Sequence, residues 1–182
     1  MNINDSLKKE INDFNQRTGF LNLLSQYGKI HITGSYVYDL MAWRDYDLVL
    51  ELVELNNANI SKLVEEIGTT ISPNELKIFN NIDKRKTNRP EGYWIGIYVD
   101  SWKIDLWVMD SLNAKKEVEN TNKLNILLKN INKNELINIK QELSKDKDYH
   151  VKFSSVDLYN SYVHDNVRTV DEFYKWLSTK GK

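Results

Sequence analysis

The sequence has no cysteine, which excludes disulfides, thiolate catalysis and cysteine-ligated zinc. Chain breakers are scarce as well: 2 prolines and 7 glycines in 182 residues favour long regular elements and leave no Pro/Gly/Ser-rich linker. No sign of charge dominates. The 25 Lys and Arg are matched by 26 Asp and Glu for a formal net charge of -1, so no global field draws the chain onto nucleic acid, which is disfavoured as a partner, or onto a membrane. No apolar run approaches the ~20 residues that span a bilayer, and Met1 to Glu10 lacks the apolar core of a signal peptide. A cytoplasmic location is the expectation. Only 3 histidines occur, His31, His150 and His164; they show no ligand spacing and are expected to pack in the core or on the surface.

What is present suits one well-buried domain, or a compact core with a helical appendage. Hydrophobic residues make up 41% and charged residues 28%. After Asp5, a candidate cap, Leu7, Ile11 and Phe14 recur at helical spacing, and Leu21, Leu23 and Leu24 continue an apolar face that Thr18 and Gly19 can break. Lys29 to Thr33 reads as a short strand that turns at Gly34 into a short helix. Residues 45 to 53 alternate, with Tyr46, Leu48, Leu50 and Leu52 on one face and Asp45, Asp47, Val49 and Glu51 on the other. Ile60, Leu63, Val64 and Ile67 describe a helix expected to stop at Gly68. Strands are expected over residues 76 to 82, 93 to 99 and 102 to 109, the last two joined by a hairpin turn at Asp100-Ser101. Between the first two lies a charged loop with Lys84, Arg85, Lys86 and Arg89, either solvated or in contact with a ligand.

Beyond Asp110 the apolar period becomes helical, with marked starts at Ser154 to Asp157 and at the capping box Thr169 to Glu172. The expected class is α+β: a mixed sheet flanked by helices over residues 1–110, and an all-helical region over residues 111–182 packed on it. Tyr159, Tyr162, Phe173 and Trp176 form a core or interface stripe, which leaves room for a homodimer. Trp94, Trp102 and Trp107 lie on paired strands and are expected in the core, with base stacking as the alternative.

Chemistry concentrates between Thr33 and Leu50. Asp45 and Asp47, one residue apart on a strand, project to the same side. Two carboxylates about 4 Å apart repel by roughly 4 kcal/mol at a surface-like effective dielectric, a cost that a divalent cation removes. Oxygen-only ligands on a rigid strand suit Mg2+, with Mn2+ as an alternative. Gly34 and Ser35, where a strand becomes a helix, turn backbone N–H groups and a hydroxyl toward the strand tips, and a phosphate fits there. Arg44 beside the acid pair and Lys103 on the last strand are candidate cations for a nucleotide's phosphates.

Gly34-Ser35, followed after the 9 residues Tyr36 to Arg44 by Asp45-Tyr-Asp47, resembles the motif of the nucleotidyltransferase superfamily with the DNA polymerase β-like fold. The family places a third carboxylate on a later strand, matched best by Asp105 in Trp102 to Met109, with Asp100 and Asp110 as alternatives. The segment between the motifs lacks the Arg-Gly found in many small members. The resemblance covers residues 29 to 109. It implies in-line attack by an acceptor hydroxyl on the α-phosphorus of a nucleoside triphosphate, with Asp45, Asp47 and Asp105 as metal ligands and catalytic groups, and Gly34, Ser35, Arg44 and Lys103 at the nucleotide. The expected activity is transfer of a nucleoside monophosphate, AMP first among them, to an unidentified small-molecule or protein hydroxyl. The alternatives are an RNA- or tRNA-directed transferase or toxin-antitoxin component, and an inactive binding module of the same fold.

Overall fold

The computed structural model describes residues 2–82 and 89–181. Residues 84 to 86 of the charged loop lie outside the described residues. Among the described residues there are five strands, β1 (Lys29–Ile32), β2 (Asp45–Glu51), β3 (Glu75–Asn80), β4 (Tyr93–Val99) and β5 (Trp102–Met109). The helices are α1 (Ile3–Thr18), α2 (Phe20–Ser25), α3 (Gly34–Val37), α4 (Asn57–Ile71), α5 (Ser111–Leu127), α6 (Lys133–Leu143), α7 (Ser155–His164) and α8 (Val170–Thr179). The class is α+β, as expected. The sheet order is β1-β2-β5-β4-β3, with β2 and β5 parallel and the other pairs antiparallel. No helix among the described residues is long and apolar enough to cross a membrane.

Strand alternation sorts the sheet into two faces. Tyr46, Leu48 and Leu50 of β2, Ile104, Leu106 and Val108 of β5, and Ile95 and Ile97 of β4 are fully buried. They pack against Ile11 of α1, Phe20 and Leu24 of α2, and Leu63 and Ile67 of α4. The opposite face carries the polar set of β2 and β5, and α5 crosses it where Ala114 meets Val49 and Met109. Helices α6, α7 and α8 pack around the irregular segment 38–44 that joins α3 to β2, through Tyr38, Leu40 and Ala42.

Several boundaries differ from the sequence reading, each for a local reason. The cap of α1 is Asn2, whose side chain accepts from the Asp5 N–H, so that Asp5 lies inside the first turn. Gly68 does not stop α4, because Ile71 continues the buried stripe for another turn and Ser72, in left-handed conformation at φ 45°, ends the helix. The helix after Gly34 is a single turn, capped by Tyr38, and Asp39 at φ 58° takes the chain out of helical geometry. The turn Asp100-Ser101 holds both residues at positive φ, 47° and 65°, which matches the right-handed twist of the flanking strands.

Segment 38–44 has few partners in regular structure, so its polar backbone is satisfied from elsewhere. Lys133 Nζ donates to the Tyr38 carbonyl at 2.6 Å, Lys140 Nζ to Leu40 at 3.1 Å and Gln141 Nε2 to Ala42 at 3.3 Å. From the other side, buried Asn4 accepts the Met41 N–H at 3.1 Å. This links α1 and α6 through the segment that leads into β2. Replacing Asn4 with Leu strands the Met41 N–H in the core and is expected to cost about 1–3 kcal/mol, read as a lower midpoint in urea with an unchanged slope; an unchanged midpoint would show the bond to be dispensable.

Candidate active site

Parallel pairing of β2 with β5 sets the geometry. The register puts Asp47 directly opposite Asp105, and Asp45 opposite Lys103, so all four side chains emerge on one face within neighbouring strand positions. One carboxylate oxygen from each of Asp45, Asp47 and Asp105 lies within 4.8 Å of the other two. The alternatives to Asp105 are engaged elsewhere: Asp100 pairs with Arg17 at 2.8 Å, and Asp110 caps α5 by accepting the Asn113 N–H at 2.8 Å.

Strand β1 ends with the Thr33 N–H on the Asp47 carbonyl at 3.0 Å, and the chain then bends at Gly34 with φ 62°. A Cβ at that position would lie 1.9 Å from Asp47 Oδ2. Glycine is thus required both by conformation and by the approach of the bend to the acid pair. Ser35, buried next to it, lines the same cleft.

Asp105 is held by two donors. Trp94 Nε1 donates to its Oδ1 at 2.9 Å, and Lys103 Nζ bonds its Oδ2 while reaching Asp45 Oδ1 at 3.5 Å. One ammonium does not balance three carboxylates. Burial, and then the charges of Asp45 and Asp105, push Asp47 up from 3.8 to about 7. Burial also raises Asp45, against the pull of Lys103. Burial works against the Lys103 charge, but Asp45 and Asp105 outweigh it and hold the ammonium protonated. An oxygen-only set that binds protons this readily calls for more positive charge, which suits a hard divalent cation.

The cleft over these carboxylates has a volume of about 280 Å³ and is lined as well by residues of α5, α6, α7 and the loop before α7. Lys140 reaches it from α6. It is buried, sits 4.4 Å over the Trp43 ring, and is lowered by burial while Asp45 and Asp47 pull it back up. His150, in left-handed conformation at φ 65°, lines the cleft with its ring against Tyr149. Burial and nearby Lys103 depress its protonation. A second cleft of about 440 Å³ continues outward past Tyr38, Glu117, Thr121 and Val156, which line both.

Four residues proposed from sequence therefore stand with the acid group: Asp45, Asp47, Asp105 and Lys103, with Gly34 and Ser35 beside them. Arg44 does not join them, because its Nε bonds Glu10 at 2.8 Å on another side of the segment. Lys140, His150, Glu117 and Thr121 were not singled out for this cleft. No spacing links residues 117 to 150 with residues 34 to 47, and only the packing of the helices brings them over the sheet.

Compared with solved structures, the chain is similar to a cytoplasmic RNA terminal U-transferase, with a TM-score of 0.52 and 16% identity over 85% of this chain and 44% of that one. This chain has the nucleotidyltransferase fold. It spans less than half the length of that structure, and the likeness at this identity is one of fold. No family model matches the sequence, and no curated protein matches it. Within the nucleotidyltransferase fold, the acid group lies on the strands where the sequence motif anticipates it.

The electrostatics carry a stability consequence. Because Asp47 binds its proton more tightly in the folded chain, its contribution is fully present below about pH 4 and is lost as pH rises through about 7. Asp47→Asn removes that dependence. Without divalent cations, the variant is expected to gain melting temperature relative to the natural chain between pH 4 and pH 8, by several degrees. Mg2+ should narrow the gap at the upper end. A difference that stays flat with pH would show that Asp47 is not strained by its neighbours.

Proposed function

We propose that the chain is a divalent-metal-dependent nucleotidyltransferase, moving a nucleoside monophosphate from a nucleoside triphosphate to a hydroxyl and releasing pyrophosphate. The observation that carries this reading is the convergence of Asp45, Asp47 and Asp105 within 4.8 Å beside the Gly34-Ser35 bend. The three carboxylates would hold Mg2+ or Mn2+, which supplies charge neutralisation for the phosphates and acidifies the attacking hydroxyl.

The chain's own residues divide the remaining work. Gly34 keeps the backbone close to Asp47, so that the Ser35 hydroxyl and nearby N–H groups offer donors to phosphate oxygens next to the acids. Lys103, bonded to Asp45 and Asp105, and Lys140, which lines the same cleft, offer ammonium groups that would offset the polyphosphate charge. The combined clefts are of a size suited to a nucleotide, and the outer one, between α5 and α7, offers Asn120, Thr121 and Asn160 as hydrogen-bonding groups for a nucleoside. Arg44, bound to Glu10, has no part in this arrangement.

Phosphoryl chemistry of this kind depends on positioning and charge more than on a covalent intermediate, in keeping with a cleft that holds no thiol. Incubation with each labelled triphosphate, Mg2+ or Mn2+, and pools of small-molecule, protein and RNA acceptors is expected to release pyrophosphate with at least one combination. The double change Asp45→Ala and Asp47→Ala should reduce that release by at least about 100-fold with the circular dichroism spectrum retained. Absence of pyrophosphate release under every combination would overturn the enzymatic reading in favour of a binding module.

A further inference from the structure

The acid group already holds a cation that belongs to the chain. The strand register puts Lys103 opposite Asp45 and two positions before Asp105 on the same face. Its ammonium fills the space between them: Nζ bonds Asp105 Oδ2 and stands 3.5 Å from Asp45 Oδ1. A lysine carries a compact point charge on a flexible stem, so it can stand where a metal ion would and can also leave. Lys140, the other ammonium whose charge acts on these acids, does not contend for the place, because it is fixed on the Leu40 carbonyl at 3.1 Å and over the Trp43 ring.

The three carboxylates are consequently unequal. Both oxygens of Asp105 have donors, the Trp94 indole N–H on Oδ1 and the ammonium on Oδ2. Trp94 is itself fixed. Its six-membered ring lies on Gly96, the residue paired with Asp105, where a Cβ would come within 2.6 Å of two ring carbons. Asp47, by contrast, accepts no hydrogen bond among the described residues, and Asp45 has only the long contact to Nζ. These two are open to an ion while Asp105 is engaged. The movable member is Lys103, whose side chain keeps 37% of its surface in solvent, against 18% for Asp45 and 16% for Asp105.

We infer that Lys103 is a built-in competitor for the second of two divalent ions: with the lysine in place the chain takes one ion, on Asp45 and Asp47, and Asp105 becomes a ligand only when the ammonium leaves it. The inference rests on the proposed function, which gives the carboxylates their metal, and adds an order in which ions enter. It gives the lysine a task that a mere surface ion pair lacks. When metal is scarce the fold is spared three bare carboxylates, and when metal is plentiful the second place is the one whose occupancy the ion concentration governs. Lys103 is a positioning residue in this respect, since it acts through Asp105.

The test counts Mn2+ bound per chain in the absence of any nucleotide, by the loss of the free-ion electron paramagnetic resonance signal. The natural chain is expected to take one ion and Lys103→Met two, the second bound at least about tenfold more tightly than any second ion of the natural chain, as removal of one nearby positive charge implies. Lys103→Arg, which restores the charge, should return the count to one. Asp105→Asn keeps the shape of the side chain and should keep the single ion, because Asp45 and Asp47 hold it; this variant decides the matter even where Lys103→Met does not fold. An equal count in the natural chain and Lys103→Met, whether one ion or two of like affinity, or loss of the ion in Asp105→Asn, would overturn the inference and leave the proposed function standing. No ion in either the natural chain or Lys103→Met would instead reject the metal-dependent reading itself, and the inference with it.

Discussion

Mutual repulsion among Asp45, Asp47 and Asp105 is the constraint on which the rest of the arrangement depends. Three carboxylates brought within 4.8 Å on a half-buried sheet face disfavour the folded chain at neutral pH, and the neighbouring residues answer that repulsion from every side. Lys103 sets one ammonium between Asp45 and Asp105, Trp94 gives a further, neutral donor to Asp105, and Gly34 allows a backbone bend to approach Asp47. Such a concentration of like charge contributes nothing to holding the fold together. A divalent cation held by the three carboxylates would relieve that repulsion.

The folding of the chain around this group is economical in elements. Strand β2 carries two of the acids, and its parallel partner β5 delivers the third at the register position opposite Asp47. The segment that leads into β2 is irregular, yet it is tied by side chains of α1 and α6 to both packed regions. A change in the position of the C-terminal helices would thus be felt at the start of β2. Lys140 shows this most directly, since it bonds the Leu40 carbonyl while its charge faces Asp45 and Asp47. Anchoring the helices and charging the cleft are tasks of one side chain.

The sheet's polar face is used unequally. Over β2 and the inner part of β5 it is flanked by α5 and by the loop before α7, which makes a cleft. Over β4 and β3 it retains partly exposed aromatic rings. Asp105 stands at the boundary between the two halves, with Lys103 and Trp94 on it.

Much of this was legible in the residues themselves. Period-two alternation marked β2, β4 and β5 almost to the residue, because strand geometry repeats every second position whatever the partners are, and the Gly-Ser and Asp-x-Asp spacing marked the bend and the acid pair. Helix ends were less secure: Gly68 reads as a stop, but buried Ile71 carries α4 onward, since core burial outweighs the modest helix penalty of one glycine. Arg44 stands next to Asp45 in sequence and yet lies in the bend before β2 and turns to Glu10 of α1, 34 positions away. Which cations face the acids, which tryptophans are core and which are surface, and that His150 and Lys140 overlook the cleft were decided only by tertiary structure. Those contacts join residues up to 100 positions apart, where no local period or spacing exists to record them.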